Sequence, residues 1–469
     1  MTLASPNPHP QRSSHNVVRR LNTLILREVV SRALTDHKII HDSVHGSIRL
    51  EGVALSLLEV PDLQRLHSIH QLGLAYLVFP GANHTRFEHS LGTFSVARRM
   101  CSSLQLDREE ARLVECAAFL HDVGHLPYSH TLEFVLHDRF GIDHTDISRR
   151  LIRGEDSILS DSEKAILGDS KSIPEILEAS GVNPKEVATL LESRQSAPPS
   201  QRTLGGSKGQ AHFNTQRYLS QMVNGPADAD QLDYLKRDSY YTGVAYGVID
   251  LPRLFETIQI FNGDLVIDRS GLSAIEGMLV ARALMFSSVY MHKTVRISEL
   301  MLAKAVEDME RSEIDAMHRM TDSTLLSHLI SGRGYGERIA TMLKYRRLFK
   351  RAYALHASAI PDDGWERISD LGNVERRRSV EEDIARRAGV DGEDVIIDVP
   401  SSELSVSEPR LSLTDVRVLD GGKVKMLPKM STIAQSLQTR QVHEYAVMVA
   451  CPEKHKSKVA KAAERILAP

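Results

Sequence analysis

The sequence lacks the features that would place it in several specialised classes of protein. It has only three cysteines in 469 residues, Cys101, Cys116 and Cys451, with no CxxC spacing and no pairing pattern. This usage argues against a disulfide-linked secreted scaffold and fits a reducing compartment, so we expect a cytoplasmic protein. No window approaches about eighteen uninterrupted apolar residues, so no membrane span is expected.

A strong charge of either sign is also missing. The formal net charge is −3, from 58 basic and 61 acidic residues. Bulk electrostatic binding to nucleic acid or to an anionic membrane is therefore not expected, although individual pockets can still be basic. The polar N-terminal stretch MTLASPNPHPQRSSH and the following LNTLILREVV have no small-residue cleavage site, which argues against a signal peptide.

The residues that are present predict a mainly α-helical protein. The apolar fraction is 42%, enough for a large core and two or three domains. Helical periodicity dominates between Lys38 and about Leu355, as in EHSLGTFSVARRMCSSL and REEARLVECAAFLHD. We predict a polar extension with a short helix over residues 1–37, a helical core over 38–355, and a mobile Ser/Gly/Pro-rich surface loop over 193–210 within it.

Residues 356–469 have a different pattern of apolar residues, which predicts a small α+β C-terminal portion. SVEEDIARRAGV and KVAKAAERIL are typical of helices, whereas DVIIDVP, TDVRVLDGGKVKMLP and HEYAVMVACP are typical of strands. Within the helical core, QIFNGDLVIDRSG predicts a β-hairpin that turns at Asn262-Gly263-Asp264.

The stretch ECAAFLHDVGHLPYSH raises the question of a metal. An apolar helix changes there into His121-Asp122, and both residue types fill a core poorly but bind cations well. His89 and Asp230 lie on or beside other helices with apolar faces. A lone histidine is more often a hydrogen-bonded core residue, but the order H…HD…D favours a site. Two imidazoles and two carboxylates leave open coordination positions, as a hydrolytic metal centre needs.

The text around these residues resembles a known family. DSVHGSIRL, LQRLHSIHQLGLAYLVFPGANHTRFEHSLG, HDVGHLPYSH, DADQLDYLKRDSYYTG and KYRRLFK follow one another between about Lys38 and Tyr353. Together they resemble the HD-domain phosphohydrolases, and more closely the deoxynucleoside triphosphate triphosphohydrolases of the branch that includes the animal SAM- and HD-domain enzyme. The resemblance implies an HD-domain helical core. Only 37 residues precede the match, so no SAM domain is expected.

The resemblance implies a metal centre and a set of catalytic residues. The implied ligands of a divalent metal are His89, His121, Asp122 and Asp230. Mixed nitrogen and oxygen ligation is compatible with Fe, Mn, Mg or Zn and does not choose among them. The metal would polarise the α-phosphate and lower the pKa of a bound water. Departure of the 5′-oxygen calls for a proton donor near neutral pH, which imidazole supplies. The implied catalytic and relay residues are His130, His125, His144 and Glu133. The three histidines could instead support the metal ligands.

The resemblance also implies contacts with a nucleotide. The residues assigned to the triphosphate are Arg86, Arg282 and Lys293, and those assigned to the nucleoside are Gln71, Leu72, Tyr234, Asp238 and Tyr290. A tyrosine that crowds C2′ would exclude ribose by steric clash. Arg86 could instead form an ordinary ion pair, and either tyrosine could be core packing.

Two departures from the animal enzyme bear on substrate range. Gln231 stands where that enzyme has a lysine, and Met291 stands where it has a glutamine. Asp42 matches a position that recognises a guanine nucleotide effector between subunits. The resemblance therefore implies a homo-oligomer, a dimer or a tetramer, with a possible nucleotide effector at the subunit interface.

The resemblance implies hydrolysis of dNTPs, with dGTP among them, to deoxynucleoside and inorganic triphosphate. One alternative is an HD-domain hydrolase of another nucleotide, such as a dinucleoside polyphosphate, a cyclic nucleotide or an alarmone. Another is a non-catalytic regulator that binds nucleotide or nucleic acid. The intact H…HD…D set argues against the regulator, because a binding module needs no open metal coordination.

Overall fold

The computed structural model describes residues 36–192, 217–361, 364–400, 416–438 and 445–468. Within these ranges the fold is mainly α-helical with small sheets, and the predicted fold class is confirmed. The predicted extension 1–37, apart from its last two residues, and the whole predicted loop 193–210 lie outside the described residues. The domain boundary at residue 355 stays a prediction.

Helices account for most of the described chain. The first ten are α1 Val53–Leu57, α2 Pro61–Arg65, α3 Arg86–Ser103, α4 Arg108–Leu120, α5 Glu133–Phe140, α6 His144–Arg153, α7 Asp161–Leu167, α8 Ile173–Ala179, α9 Pro184–Leu190 and α10 Arg217–Val223. The others are α11 Ala229–Thr242, α12 Leu251–Thr257, α13 Leu272–Met285, α14 Lys293–Glu307, α15 Arg311–Asp315, α16 Asp322–Ser331, α17 Tyr335–Lys344, α18 Trp365–Asp370, α19 Val374–Ala388, α20 Thr432–Gln438 and α21 Lys456–Leu467.

Nine short strands form three sheets in the described part. They are β1 His37–Asp42, β2 Gly46–Glu51, β3 Ile258–Phe261, β4 Asp264–Asp268, β5 Lys350–Leu355, β6 Ile396–Asp398, β7 Arg417–Asp420, β8 Lys423–Met426 and β9 Val447–Cys451. The sheet orders are β1-β2, β3-β4-β7-β8 and β5-β9-β6. Because β4 pairs with β7 and β5 pairs with β9, the predicted C-terminal portion shares two sheets with the helical core.

The predicted hairpin QIFNGDLVIDRSG is confirmed as β3 and β4. Phe261 pairs with Asp264, which leaves Asn262 and Gly263 as a two-residue turn with φ values of 52° and 78°. Positive φ at both turn positions matches the twist of the flanking strands and favours Asn-Gly. The hairpin β1–β2 was not predicted.

Local capping places the site residues at helix ends. Thr85 and Glu88 form a capping box that starts α3, just before His89. Asp228 caps α11 and puts Asp230 in the first turn. A second capping box starts α6 at His144, and α4 ends at Leu120. Because α3 packs against both α4 and α11, the ends of these three helices meet.

The segment Arg269–Tyr290, which contains α13, is long and apolar enough to cross a membrane by length and composition. However, 56% of its apolar window is buried inside the fold. A helix of a protein core has this pattern, so the feature is weak evidence for a membrane span.

Candidate active site

The four predicted metal ligands, which we call the ligand cluster, converge where α3, α4 and α11 meet. His89 Nε2 lies 2.9 Å from Asp230 Oδ1 and 3.2 Å from His121 Nε2. Asp122 Oδ1 lies 3.2 Å from His121 Nε2, and its Oδ2 lies 3.6 Å from His89 Nε2. One ligand atom from each of His89, His121 and Asp230 fits within a 4.8 Å group, close enough to share an ion.

Each imidazole of the ligand cluster has an acceptor on its outer nitrogen. His89 Nδ1 lies 2.8 Å from Asp233 Oδ2, and His121 Nδ1 lies 2.9 Å from the Ala118 carbonyl oxygen. A neutral imidazole has one N–H, so donation from Nδ1 leaves a lone pair on Nε2. When both rings are neutral, as metal ligands are, both lone pairs therefore point into the cluster.

The electrostatics of this cluster call for a positive charge. Burial alone would lower the pKa of His89, but the carboxylates of Asp230 and Asp233 raise it to about 10. Two Nε2 lone pairs 3.2 Å apart repel each other unless a proton or cation lies between them. A divalent metal fits this donor set, and mixed nitrogen and oxygen ligation is compatible with Fe, Mn, Mg or Zn.

Asp233 connects the ligand cluster to the hairpin β1–β2. It receives His45 Nε2 at 2.6 Å and Arg237 Nε at 2.8 Å, in addition to His89. Arg237 Nη1 then donates to Asp42 Oδ2 at 2.8 Å. Asp233, Arg237 and His45 were not predicted from the sequence. The first two follow Asp230 on one helix at spacings of three and seven, which is a usable signal, whereas His45 has none.

Arg86 is held against the ligand cluster. Its Nη1 donates to Asp122 Oδ2 at 2.7 Å and its Nε donates to Ser129 Oγ at 2.8 Å. Burial alone would raise the pKa of Asp122, but Arg86, His121 and His125 hold it well below its ordinary value. Arg86 thus forms an ion pair, which was one of the two roles considered from the sequence. It also lines the cavity that both clusters share.

A second group of side chains lies beside the first, and we call it the relay cluster: His125, His130, Glu133 and His144. His130 Nδ1 lies 3.0 Å from Glu133 Oε2, and His144 Nδ1 forms an ion pair with Glu133 Oε1. The ring of His125 stacks on His144 with centroids 3.8 Å apart. Its Nε2 also lies 3.2 Å from Asp122 Oδ1, so the two clusters touch.

The relay cluster separates its charges. Burial would raise the pKa of Glu133, but His144 and His130 hold it well below its ordinary value. Burial would lower the pKa of His144, but Glu133 raises it to about 9. Burial, Arg86 and His144 lower the pKa of His125 well below the ordinary value. These shifts favour an ionised Glu133, a protonated His144 and a neutral His125.

A strained turn positions His130. Tyr128 and Ser129 have φ values of 58° and 57°, which are unusual for residues other than glycine. The Tyr128 amide donates to Asp322 Oδ1 at 2.6 Å, and Ser129 Oγ donates to the His70 carbonyl oxygen at 2.6 Å. These buried contacts fix the direction in which His130 leaves the turn.

Gly124 explains why the motif HDVGH brings His125 and His144 together. A Cβ atom at Gly124 would lie 2.3 Å from the Ser148 backbone nitrogen and 2.5 Å from the His144 carbonyl oxygen. Only glycine allows α6 to pack this closely. The Gly124 amide also donates to Ser148 Oγ at 2.9 Å, which fixes the approach.

Both clusters open into one cavity of about 370 Å³, a volume in the range of ligand pockets. Most of the predicted substrate residues line it: Gln71, Leu72, Arg86, Tyr234, Asp238, Arg282 and Tyr290. Lys293 is exposed and is not among the lining residues.

Asp42, the proposed effector residue, is a buried residue with 9% of its surface exposed. Its carboxylate accepts hydrogen bonds from Arg237 and from two backbone amides. Its effector role stays a prediction.

One wall of the cavity offers unused polar atoms. Tyr290 donates its hydroxyl to Asp238 Oδ2 at 2.7 Å, and His84 Nε2 lies 2.7 Å from Asp238 Oδ1. The Tyr234 hydroxyl and Gln71 Oε1 are buried with no hydrogen-bond partner among the described residues. Most buried polar atoms in native proteins are hydrogen-bonded, so these two are candidates to pair with a ligand or a water.

Gln231, one of the two departures noted in the sequence, has a structural role. Its Oε1 accepts a hydrogen bond from Arg282 Nη1 at 2.8 Å, and its Nε2 donates to the Gly225 carbonyl oxygen at 2.7 Å. Burial and the neighbouring Asp230 raise the pKa of Asp228 to about 7. Gln231 thus orients the guanidinium of Arg282 in the cavity, whereas the animal enzyme has a lysine at the position of Gln231.

Comparison with known proteins assigns the chain to a family. Residues 86–197 match the HD domain, and residues 249–468 match the HD associated region. An uncharacterised protein of Methanocaldococcus jannaschii, MJ1154, is 32% identical over 89% of this chain and 79% of its own length. The chain belongs to the HD-domain phosphohydrolase family, as the sequence resemblance implies.

More distant relatives include an enzyme with an assigned activity. Human deoxynucleoside triphosphate triphosphohydrolase SAMHD1 is 26% identical over 67% of this chain, which spans only 54% of that protein. A crystal structure of a hypothetical protein from Aquifex aeolicus superposes with a TM-score of 0.62 at 26% identity, covering 91% of this chain and 99% of that one.

Proposed function

We propose that this phosphohydrolase cleaves dNTPs to deoxynucleoside and inorganic triphosphate. The observation that carries the proposal is the single cavity in which the ligand cluster, the relay cluster and the predicted nucleoside residues all meet. The similarity to SAMHD1 supports the same substrate class. A nucleoside triphosphate would place its α-phosphate at the ligand cluster and its sugar between Tyr234 and Tyr290.

Each step can be assigned to side chains on the cavity wall. Bound at His89, His121, Asp122 and Asp230, a divalent cation would supply Lewis-acid polarisation of the phosphate and a more acidic water. Arg86 and Arg282 would meet the phosphate oxygens as cationic donors. Water adds its oxygen to the α-phosphorus and the bond from phosphorus to O5′ breaks. The proton that the water loses balances the proton that O5′ takes up.

The leaving O5′ takes a proton, and His130 is the proposed donor. It is the most exposed histidine of the relay cluster, with 44% of its side chain accessible, and Glu133 orients its Nδ1. Donation from Nε2 leaves a neutral ring, which His144 and Glu133 can reprotonate through the shared carboxylate. His125 stays neutral and lies on the phosphate side, against Asp122.

The sugar contacts explain how ribose would be refused. Tyr290 donates to Asp238, so its ring is fixed beside the carboxylate to which we assign the 3′-hydroxyl. A ring held in this way leaves no room at C2′ for a second hydroxyl.

The proposal is tested with dGTP, GTP, Ap4A, a cyclic dinucleotide and single-stranded DNA, with and without Mn²⁺. Inorganic triphosphate release is measured for dGTP and GTP, chromatography follows cleavage of the other three, and calorimetry measures binding. Metal-dependent release from dGTP well above that from GTP supports it. Faster turnover of Ap4A or of the cyclic nucleotide would assign the site to another HD-domain hydrolase. Binding without turnover of any substrate would favour a regulator.

Replacing Tyr290 with alanine tests the sugar contact. We expect the ratio of kcat/KM for dGTP to that for GTP to fall by on the order of 10²-fold, because the cavity then admits the 2′-hydroxyl. Activity on dGTP should also fall as the sugar loses its orientation. An unchanged ratio in an otherwise selective enzyme would mean that Tyr290 serves only in packing.

We also propose a homo-oligomer, either a dimer or a tetramer, because relatives of the SAMHD1 branch form effector sites between subunits and Asp42 occupies the matching position. Closed symmetry makes the dimer the default. Light scattering with and without GTP or dNTP tests this. A monomer under all conditions would remove the basis for an effector site at an interface.

A further inference from the structure

One end of the cavity contains a charged pair that the proposed function does not use. Arg296 and Glu299 lie one helical turn apart on α14 and both line the cavity, together with Leu72, Met291 and Val295. α14 begins at Lys293, three residues after the proposed sugar residue Tyr290, and it packs against the turn Ser129–Leu132 that carries His130. A nucleotide with its sugar at Tyr290 can reach this end with its base, because Tyr290, Met291 and Glu299 all line the same cavity.

Arg296 is held from the C-terminal sheet. Its Nε lies 3.1 Å from Asp398 Oδ2 and its Nη2 lies 3.1 Å from Asp398 Oδ1, a bidentate pair with a carboxylate on β6. Tyr445, just before β9, donates its hydroxyl to the same carboxylate at 2.6 Å. Because Asp398 occupies Nε and Nη2, the remaining nitrogen, Nη1, is the one available to the cavity.

Glu299 is a carboxyl group with few compensating contacts. Its nearest charged partner is Arg296 Nη1 at 3.8 Å from Oε2, and 18% of its side chain is exposed. It forms no hydrogen bond to any described residue. Burial raises its pKa to about 7, which is expected where donors to a buried carboxyl are missing. Thr131 Oγ1, on the turn against which α14 packs, is also buried without a partner among the described residues.

We propose that Arg296 and Glu299 recognise the base of the substrate: the Glu299 carboxylate accepts hydrogen bonds from adjacent N–H groups, and Arg296 Nη1 donates to a neighbouring carbonyl. This pattern selects guanine, which has the N1–H and N2–H₂ donors beside the O6 acceptor. Adenine presents an acceptor at N1 and cannot match it. The inference rests on the proposed function and makes Asp398 and Tyr445 positioning residues for specificity.

The experiment compares dGTP with dITP, which lacks only the 2-amino group, and with dATP. Initial rates of triphosphate release are measured with Mn²⁺ for wild type, Glu299→Gln and the control Glu337→Gln, whose residue is exposed on α17. We expect wild type to prefer dGTP over dITP. Glu299→Gln should lower kcat/KM for dGTP by roughly 10- to 100-fold, lower that for dITP much less, and so reduce the ratio toward one.

Retained activity on dITP shows that the Gln variant is folded. Equal wild-type rates on dGTP and dITP, a preference for dATP, or a ratio unchanged by Glu299→Gln would each overturn the inference and leave dNTP hydrolysis intact. Tyr445→Phe should lower the dGTP to dITP ratio by a few-fold with little change on dITP. A ratio equal to wild type would exclude its positioning role.

Failure of the proposed function itself gives a different result. If no dNTP is hydrolysed, calorimetric titration of the same proteins with dGTP and dITP decides the role of the pair. Tighter binding of dGTP that is lost in Glu299→Gln supports the inference. Equal binding of the two nucleotides, or none, overturns it.

Discussion

The ligand cluster and the relay cluster use the same residue types and hold them differently. In the ligand cluster each imidazole has its own outer acceptor, Asp233 for His89 and the Ala118 carbonyl oxygen for His121. In the relay cluster the imidazoles of His130 and His144 contact one carboxylate, that of Glu133. The first arrangement favours donation from each outer nitrogen to its own acceptor, and the second allows two imidazoles to share one carboxylate.

This difference matches two chemical tasks. A metal ligand must present a lone pair at all times, so its other nitrogen is best tied to a single acceptor. A general acid must lose and regain a proton in each cycle, so it benefits from a nearby group that can supply one. Metal content and turnover rate can therefore separate the two clusters by experiment.

Asp230→Ala has the largest expected effect. Removing an anionic ligand should abolish bound metal and reduce turnover by on the order of 10³-fold or more, while the fold persists. Metal content by mass spectrometry and circular dichroism check these outcomes, with Asp169→Ala at an exposed position as the control. A variant with full metal content and full turnover would remove Asp230 from the site.

His130→Ala should separate the relay cluster from the ligand cluster. We expect a loss of roughly 10²–10⁴-fold in kcat because the leaving group loses its proton donor. Metal content should stay at the wild-type level, since His130 is not one of the proposed ligands. Unchanged kcat at saturating substrate would move the general acid elsewhere, and loss of metal would merge the two clusters into one site.

The secondary structure could be predicted from the sequence in regions where local signals are strong. Helical periodicity identified α3 and α4, and the dipeptide Asn262-Gly263 identified the hairpin β3–β4. The hairpin β1–β2 was missed because its turn depends on Asp42, whose carboxylate accepts hydrogen bonds from the amides of Val44 and His45.

For the site, the resemblance supplied the residues that meet at the cavity, but not the contacts that hold them. Arg296 and Asp398 are 102 positions apart, and nothing local in the sequence pairs them. The same is true of His45 and Asp233, which are 188 positions apart. Such pairs follow from the packing of the C-terminal sheet and of the hairpin on the core, which the periodicity of either segment alone does not determine.

Asp233→Asn tests whether the outer acceptor of His89 is essential to the ligand cluster. The amide keeps one acceptor oxygen but loses the charge, so we expect metal affinity to fall by about 10- to 100-fold. Titration of metal-free protein with Mn²⁺ measures this, and Asp169→Asn controls for the loss of one surface charge. An affinity equal to wild type would show that the buried carboxylate serves packing and not metal binding.

The smallest expected effect is the change in the free energy of unfolding caused by Glu299→Gln. Folding raises the pKa of Glu299 from 4.5 to about 7, so its carboxyl ionises more readily in the unfolded chain. Below pH 4.5 both states are protonated and the group contributes nothing. Between pH 4.5 and 7 the unfolded state loses its proton first, so the wild type loses stability as pH rises, and the loss is complete above pH 7.

The Gln variant lacks this penalty. Relative to wild type, its free energy of unfolding should therefore rise from pH 5 to pH 8 by about 1–3 kcal/mol. Urea denaturation midpoints at the two pH values measure the change, with Glu337→Gln expected to show none. A difference between Glu299→Gln and wild type that is the same at pH 5 and pH 8 would mean that Glu299 is already ionised in the folded protein at pH 5.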